Sequence, residues 1–351
     1  MCCRYVLLIV FFCICSSYPA TLNAQGRLFE NDSILHFTLT GKLTELFNDR
    51  RESISYHPIL LQYREKDSSL ASIQLMVETR GHFRRLKENC KMPPLLLNFP
   101  KGKKTKKSIF EKQSKLKLVV PCQGDEYVIR EWLVYKLYNL ITDKSFKAKL
   151  VQVDFVDSLM RRKKETHYCI LLEEDKKLAE RNDAFVWKRK MFDMRDIDNS
   201  AFKEMAVFQY MIGNTDWGVL YLQNIVLITK DSTIQPFAVP YDFDHAGLVD
   251  APYAGPAPEL EIPSDRFRLY RGFCETDKSN FASTFELFNQ LKGNIYKMYT
   301  SCPLLKPSYV KFVKNYLDEF YKTINSSKRV EDEFGKPCKT DVRVEIKGMK
   351  D

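Results

Sequence analysis

The sequence predicts an α+β chain of two lobes, strand-rich first and mainly helical second. Between Ile34 and Phe155 the apolar residues fall in short runs, some of them alternating, broken by Gly, Pro and charged turns. From Lys176 onward they recur at helical spacing, as in Phe281 to Leu291 and Pro307 to Ile324. The 351 residues are enough for two lobes and a sizeable core.

Residues 1–24 read as a secretory signal. Arg4 precedes an apolar stretch from Tyr5 to about Ser16, and Leu22-Asn23-Ala24 fits a cleavage site before Gln25. The stretch is too short to span a bilayer, no small-residue pair before Cys13 or Cys15 suggests a lipid anchor, and no other apolar run has membrane length. The expected mature chain is therefore extracytoplasmic, periplasmic or secreted, with no transmembrane segment. It divides into a strand-rich part at 25–175, a helical part at 176–326 and a polar tail at 327–351, expected to order at most in part. Cys2, Cys3, Cys13 and Cys15 leave with the signal. The remainder, Cys90, Cys122, Cys169, Cys274, Cys302 and Cys338, is an even set that permits disulfides in an exported chain without assigning them.

The formal charge is +10, and much of the excess lies in Lys101 to Lys107 and Arg161 to Lys164. Both runs sit between strands and lack interleaved aromatics, so they read as solvated hairpin tips and no nucleic-acid partner is expected. Attraction to an anionic envelope surface or an acidic substrate is the alternative.

In chain order, the expected strands are Ile34 to Gly41, His57 to Tyr63, Ile73 to Thr79, Pro94 to Phe99, Lys115 to Val120, Phe146 to Phe155 and His167 to Leu172. If the fourth and fifth pair as a hairpin, Cys90 and Cys122 lie at one end of it, where a disulfide fits. Arg80-Gly81-His82-Phe83-Arg84-Arg85 stands between strands and gathers three guanidinium groups, which suit phosphate oxygens. Lys115 and Lys117 share one strand face. Asp125 to Leu140 follows as an amphipathic helix carrying Glu131, with Val128, Trp132, Tyr135, Leu137 and Leu140 as its apolar residues. Glu173-Glu174-Asp175 then breaks the apolar run.

The polar groups converge between Met211 and Gly247. A helix from Ser200 to Ile212 stops at Gly213, so Asn214, Thr215 and Asp216 occupy a turn. Gln223 to Ile228 reads as a buried strand, Asp231-Ser232 as a hairpin turn and Ile234 to Val239 as the returning strand. On an extended chain Asp242 and Asp244 project to the same side while Phe243 anchors in the core. Two adjacent carboxylates repel unless a cation joins them, and with Asn224 they make an oxygen-donor set for magnesium. The same pieces also read as a helix-stop turn and a strand end.

This order of elements resembles the catalytic core of the protein-kinase-like fold. More narrowly it is similar to the CotH-like secreted atypical kinases, through Asn214-Thr215-Asp216 and Tyr241-Asp242-Phe243-Asp244. Arg80-Gly81-His82 resembles that family's Arg-Gly-Asn element, with His82 in place of Asn. The resemblance implies a two-lobed kinase-like fold and an ATP- and Mg2+-dependent phosphotransferase acting on a protein or glycan hydroxyl. Asp216 would then orient the acceptor, and Asn224, Asp242 and Asp244 would hold Mg2+. Lys117, with Lys115 in reserve, and Arg80 would meet the nucleotide phosphates, and Glu131 would steady the lysine. Main-chain groups at 173–175 would meet adenine. Two departures stand out: Asp216 and Asn224 are eight residues apart rather than five, and Asp242 is followed by Phe-Asp rather than Phe-Gly. A non-catalytic exported pseudokinase-like scaffold is the competing function. No P-loop, zinc spacing or Gly-x-Ser-x-Gly supports another enzyme class.

Overall fold

Seven strands close on themselves. In a computed structural model describing residues 27–51, 55–65, 67–100, 105, 108–188 and 193–339, these are β1 (Leu35–Gly41), β2 (His57–Arg64), β3 (Leu70–Thr79), β4 (Leu95–Asn98), β5 (Lys115–Val119), β6 (Ala148–Asp157) and β7 (Glu165–Leu172). They form a barrel in the order β1-β2-β3-β4-β5-β7-β6, in which β1 and β6 pair in parallel and all other neighbours antiparallel. A second sheet has the order β10-β9-β8, from β8 (Phe185–Trp187), β9 (Ile225–Thr229) and β10 (Phe237–Pro240). The helices are α1 (Leu43–Asn48), α2 (Asp125–Ile141), α3 (Asp175–Glu180), α4 (Asn199–Ile212), α5 (Ala282–Thr300), α6 (Pro307–Ile324), α7 (Ser327–Phe334) and α8 (Lys336–Lys339).

This architecture overturns the two-lobed protein-kinase-like expectation. The strand-rich part is a closed mixed barrel, and the remainder is a small sheet set among helices. Alternation along a strand identifies its buried face but says nothing of a second partner. β1 is paired on both sides, with β2 over Phe37 to Gly41 and with β6 over Leu35 to Gly41, and that double register is what closes the barrel.

Inward residues such as Phe37, Leu39, Leu61, Leu75, Leu97 and Leu118 fill the barrel, with Phe110 against Phe37, Tyr63 and Phe99. A second core joins α2 to the helices. The expected one-sided stripe on α2 is not found: Val128, Ile129, Leu133, Val134, Leu137 and Tyr138 bury most of its circumference, while Leu140 is exposed. The helix lies between β6–β7 and the α4–α5 pair, so nearly every face meets protein.

α4 ends as its sequence requires. Asp198 caps its N-terminus by accepting from the Ala201 amide, and Gly213 closes it at φ 66°, where an added Cβ would strike the Tyr316 hydroxyl. The segment after Ser326 contributes α7, whose Phe334 packs on Tyr210, Tyr270, Phe281 and Phe285. The charged face of α7 hides this anchor from a reading by composition. The run Arg161 to Lys164 forms the β6–β7 hairpin tip, whereas the expected signal segment and nearly all of Lys101 to Lys107 fall outside the described residues.

Two disulfides are present among the described residues, Cys90–Cys122 and Cys274–Cys338, which suits an oxidising compartment. No helix among the described residues is long and apolar enough to cross a membrane. The first bridge spans the β4–β5 hairpin as expected, joining residues 32 apart. Replacing Cys90 and Cys122 together by Ala should lower the unfolding free energy by about 3 kcal/mol in urea melts, chiefly through the entropy of the unfolded chain. An unchanged midpoint would show that the hairpin is held by its strands alone.

Candidate functional site

Phe243 sets the geometry of the segment that follows β10. Its fully buried ring meets Tyr135 of α2 at 4.8 Å and Phe208 of α4 at 5.6 Å between centroids. The Asp242 amide donates to the Tyr135 hydroxyl at 2.8 Å, and the Tyr241 amide donates to the Asn224 carbonyl at 3.0 Å. Aspartates are thereby fixed on either side of an aromatic anchor. The backbone is not extended as the alternation argument assumed: Asp242 sits at φ 61°, and Asn224 and Leu222 have φ 50° and 56°. Left-handed conformations at non-glycine residues cost energy, and three of them surround this cluster.

Asp244 faces the barrel side. Arg84, from the turn after β3, lies with Nη1 3.5 Å from Asp244 Oδ2 and 3.9 Å from Glu131 Oε2, while Nη2 donates to the Val120 carbonyl. Arg84, Glu131 and Asp244 are 7%, 1% and 4% exposed, so little water screens them. Burial, and then the charges of Asp244 and Asp242, push the Glu131 carboxyl well above its usual range. Burial and then Asp244 also raise Asp242, with Arg80 and Arg84 opposing. The Tyr253 hydroxyl, from the proline-rich loop, adds a hydrogen bond to Asp244.

Asp216 approaches from the turn after α4. The Asn214 side chain accepts from the Asp216 amide at 3.0 Å, and Trp217 Nε1 donates to the Asn214 carbonyl at 3.2 Å. Gln223 Nε2 donates to Asp216 Oδ1, and Asn224 Nδ2 donates to Asp216 Oδ2 at 2.9 Å and to its carbonyl at 2.8 Å. Arg271 clamps the same turn by donating to the Thr215 and Trp217 carbonyls at 2.5 and 2.6 Å. Burial raises the Asp216 carboxyl and is opposed by His245. Its field includes Asp244, and that of Asp242 includes Asp216, so the three aspartates form one electrostatic unit.

Among the expected phosphate-facing residues, Lys117 and Arg80 reach this unit and Lys115 does not. Lys117 is only partly accessible and stands over the Tyr241 ring, 4.5 Å from its centroid. Its carboxylate partner is Asp175 at 2.9 Å rather than the expected Glu131, which instead meets Arg84. Burial lowers the Lys117 pKa, opposed by Asp175, with Asp242 also acting to raise it. Arg80 acts on both Asp242 and Lys117. Lys115 is exposed at the start of β5.

Asn224 Nδ2 is committed to Asp216, which leaves Oδ1 as the oxygen available to a cation. Among the described residues no three His, Cys, Asp or Glu side chains close on one point. A magnesium ion here would take Asp242, Asn224 Oδ1 and Asp244 only in part, with phosphate and water oxygens completing its shell, a mixture this ion commonly accepts. The donor chemistry therefore fits the expected ion.

Sequence reasoning missed Arg84 as the buried cation, His245 and Tyr253 beside the aspartates, and Gln223, Arg271 and Asp175 as positioning partners. Arg84 stood in the arginine cluster already singled out. Asp175 opens α3, and the others come from loops, whose contacts carry no periodic signal. No family model matches this chain, and no curated protein matches it.

The raised Glu131 carboxyl has a pH signature. A buried acid with an elevated folded-state pKa destabilises the fold once ionised, and below its ordinary value near 4.5 it contributes nothing. Relative to wild type, Glu131→Gln should therefore gain stability progressively as pH rises above about 4.5. Denaturation at pH 4, 6 and 8 checks this, and a gain that shrinks with rising pH would contradict it.

Proposed function

We propose that this protein is an exported phosphotransferase that uses ATP and Mg2+ to phosphorylate a hydroxyl of a protein or glycan, as the similarity of its aspartate motifs to CotH-like kinases implies. The observation that carries the reading is the excess of buried carboxylate around Asp242. Asp216, Asp242 and Asp244 act on one another, and burial together with this repulsion raises Asp242. A divalent cation relieves that repulsion, and a polyphosphate would approach it beside Lys117 and Arg80. Phosphoryl transfer needs positioning and charge neutralisation more than covalent help from the protein.

In this reading Asp242, Asn224 and Asp244 hold Mg2+, which when bound neutralises phosphate oxygens. Lys117 and Arg80 bind those oxygens from the protein side. Asp216, held by Gln223 and Asn224, accepts a hydrogen bond from the acceptor hydroxyl and orients it. Export rests on the signal-like residues 1–24 and agrees with two disulfides.

A second reading, a non-catalytic exported scaffold that binds nucleotide without turnover, is favoured by the Lys117–Asp175 pair, because a lysine already engaged must exchange partners to reach phosphate. One set of measurements separates the two. Mg2+-ATP should raise the melting temperature of the wild-type chain, and Asp242→Ala should lose that shift. Asp216→Ala should keep the shift and lower turnover by about a hundredfold or more. Equal nucleotide affinity in wild type and Asp242→Ala would refute the cation assignment. Binding with no turnover in wild type would favour the scaffold.

A further inference from the structure

Away from the aspartates, a cavity of about 200 Å3 opens where the start of β6 meets α2 and the segment before β1. Lys136, Lys147, Lys149 and Arg181 line it against only two carboxylates, Asp32 and Asp143. Lys149 is the unusual member, an ammonium group on a residue just 3% exposed. Burying such a charge is costly unless an anion accompanies it. Among the described residues its hydrogen bonds go to neutral oxygens, the Asn31 carbonyl at 2.8 Å and Asn31 Oδ1 at 3.1 Å, which account for two of its three N–H donors.

The neighbouring carboxylates fill the deficit only in part, since the field of Asp32 acts on Lys149 but no carboxylate forms an ion pair with it among the described residues. Asp32 is taken by Lys136 at 2.8 Å, and Arg181 is matched by Glu173 behind the wall, at 3.0 Å. Asp143 makes no ion pair within 4.0 Å among the described residues, and neither does the partly exposed side chain of Lys147. The cavity thus carries a positive surplus around one deeply buried cation. Phe29 and Ala148 supply an apolar wall beside it.

We infer that this cavity is a second ligand site, which takes a small phosphate monoester with its phosphate on Lys147 and Lys149 and its organic part against Phe29. A tetrahedral dianion suits two ammonium groups that approach as point charges, and the volume leaves room for a few carbon atoms beyond it. The site uses no residue of the aspartate cluster and needs no metal ion, so its failure would leave the phosphotransferase reading untouched.

Calorimetric titration of the full mature chain in EDTA with glycerol 3-phosphate, inorganic phosphate and glycerol tests the assignment. Glycerol 3-phosphate should bind more tightly than inorganic phosphate, and glycerol should not bind. Lys147→Ala, at a partly exposed position that should tolerate it, should weaken both phosphates tenfold or more, and Lys149→Gln should abolish binding with an unchanged circular dichroism spectrum. Arg80→Ala should leave the affinities as they are. Absence of phosphate binding in wild type, binding indifferent to Lys147→Ala, or loss of binding in Arg80→Ala would each overturn the inference.

Discussion

A single buried guanidinium organises the molecule around its candidate site. Arg84 leaves the barrel after β3 and reaches the carbonyl of Val120, the carboxylate of Glu131 on α2 and that of Asp244 beyond β10. From Arg84 to Asp244 the network spans 160 residues of sequence. In a region with so little water a charge left alone is expensive, so removing Arg84 would leave Asp244 and Glu131 without their cation. Barrel, central helix and aspartate loop are thus held in one mutual arrangement by charge, while Phe243 fixes the depth at which that arrangement sits. Even so, among the described residues Arg84 Nε and Glu131 Oε1 find no protein hydrogen-bond partner. Unsatisfied polar atoms of this kind are uncommon in protein interiors and concentrate where function has set the design.

Local structure was largely legible in the sequence. Each expected strand from Ile34 to Leu172 has a counterpart within a few residues, because period-two burial and turn residues are local signals. The α4 stop at Gly213 and the Cys90–Cys122 bridge were equally legible, the first from backbone chemistry and the second from a hairpin that joins neighbours in sequence. Closure of the barrel was not, since it depends on β1 meeting β6 more than a hundred residues later. β8, with three residues, is too short to show a period.

The candidate site divides along the same line. Asp242 and Asp244 stood out by their spacing around Phe243 and Asp216 by its place in the turn after the Gly213 helix stop, and their charges act on one another. Glu131 was expected beside Lys117 from the kinase-like order of a lysine strand and a glutamate helix, whereas Asp175, which opens α3 beside the β5–β7 pair, is the carboxylate that meets it. Arg271 and Tyr253 belong to the long stretch between β10 and α5, which carries no periodic signal. Their contacts show that this stretch is built into the aspartate turn, and Cys274 ties it onward to Cys338 beyond α7.

Barrel closure also governs how the chain can meet other chains. A sheet with open sides offers unpaired backbone amides and carbonyls to any extended peptide, and proteins guard such sides against unwanted association. Here each barrel strand has a neighbour on both sides, although β3 meets β4 only from Met76 to Thr79 and β7 meets β5 only from Ile170 to Leu172. The small sheet is bounded by β8, where Phe185 is exposed, and by β10, which is short and ends in Pro240. Proline cannot donate to an added strand, so β10 is a poor template. A partner that recognised this protein by strand addition would find backbone to pair with at β8 and along the outer stretches of β3 and β7, while the rest of the barrel wall would be read through its side chains.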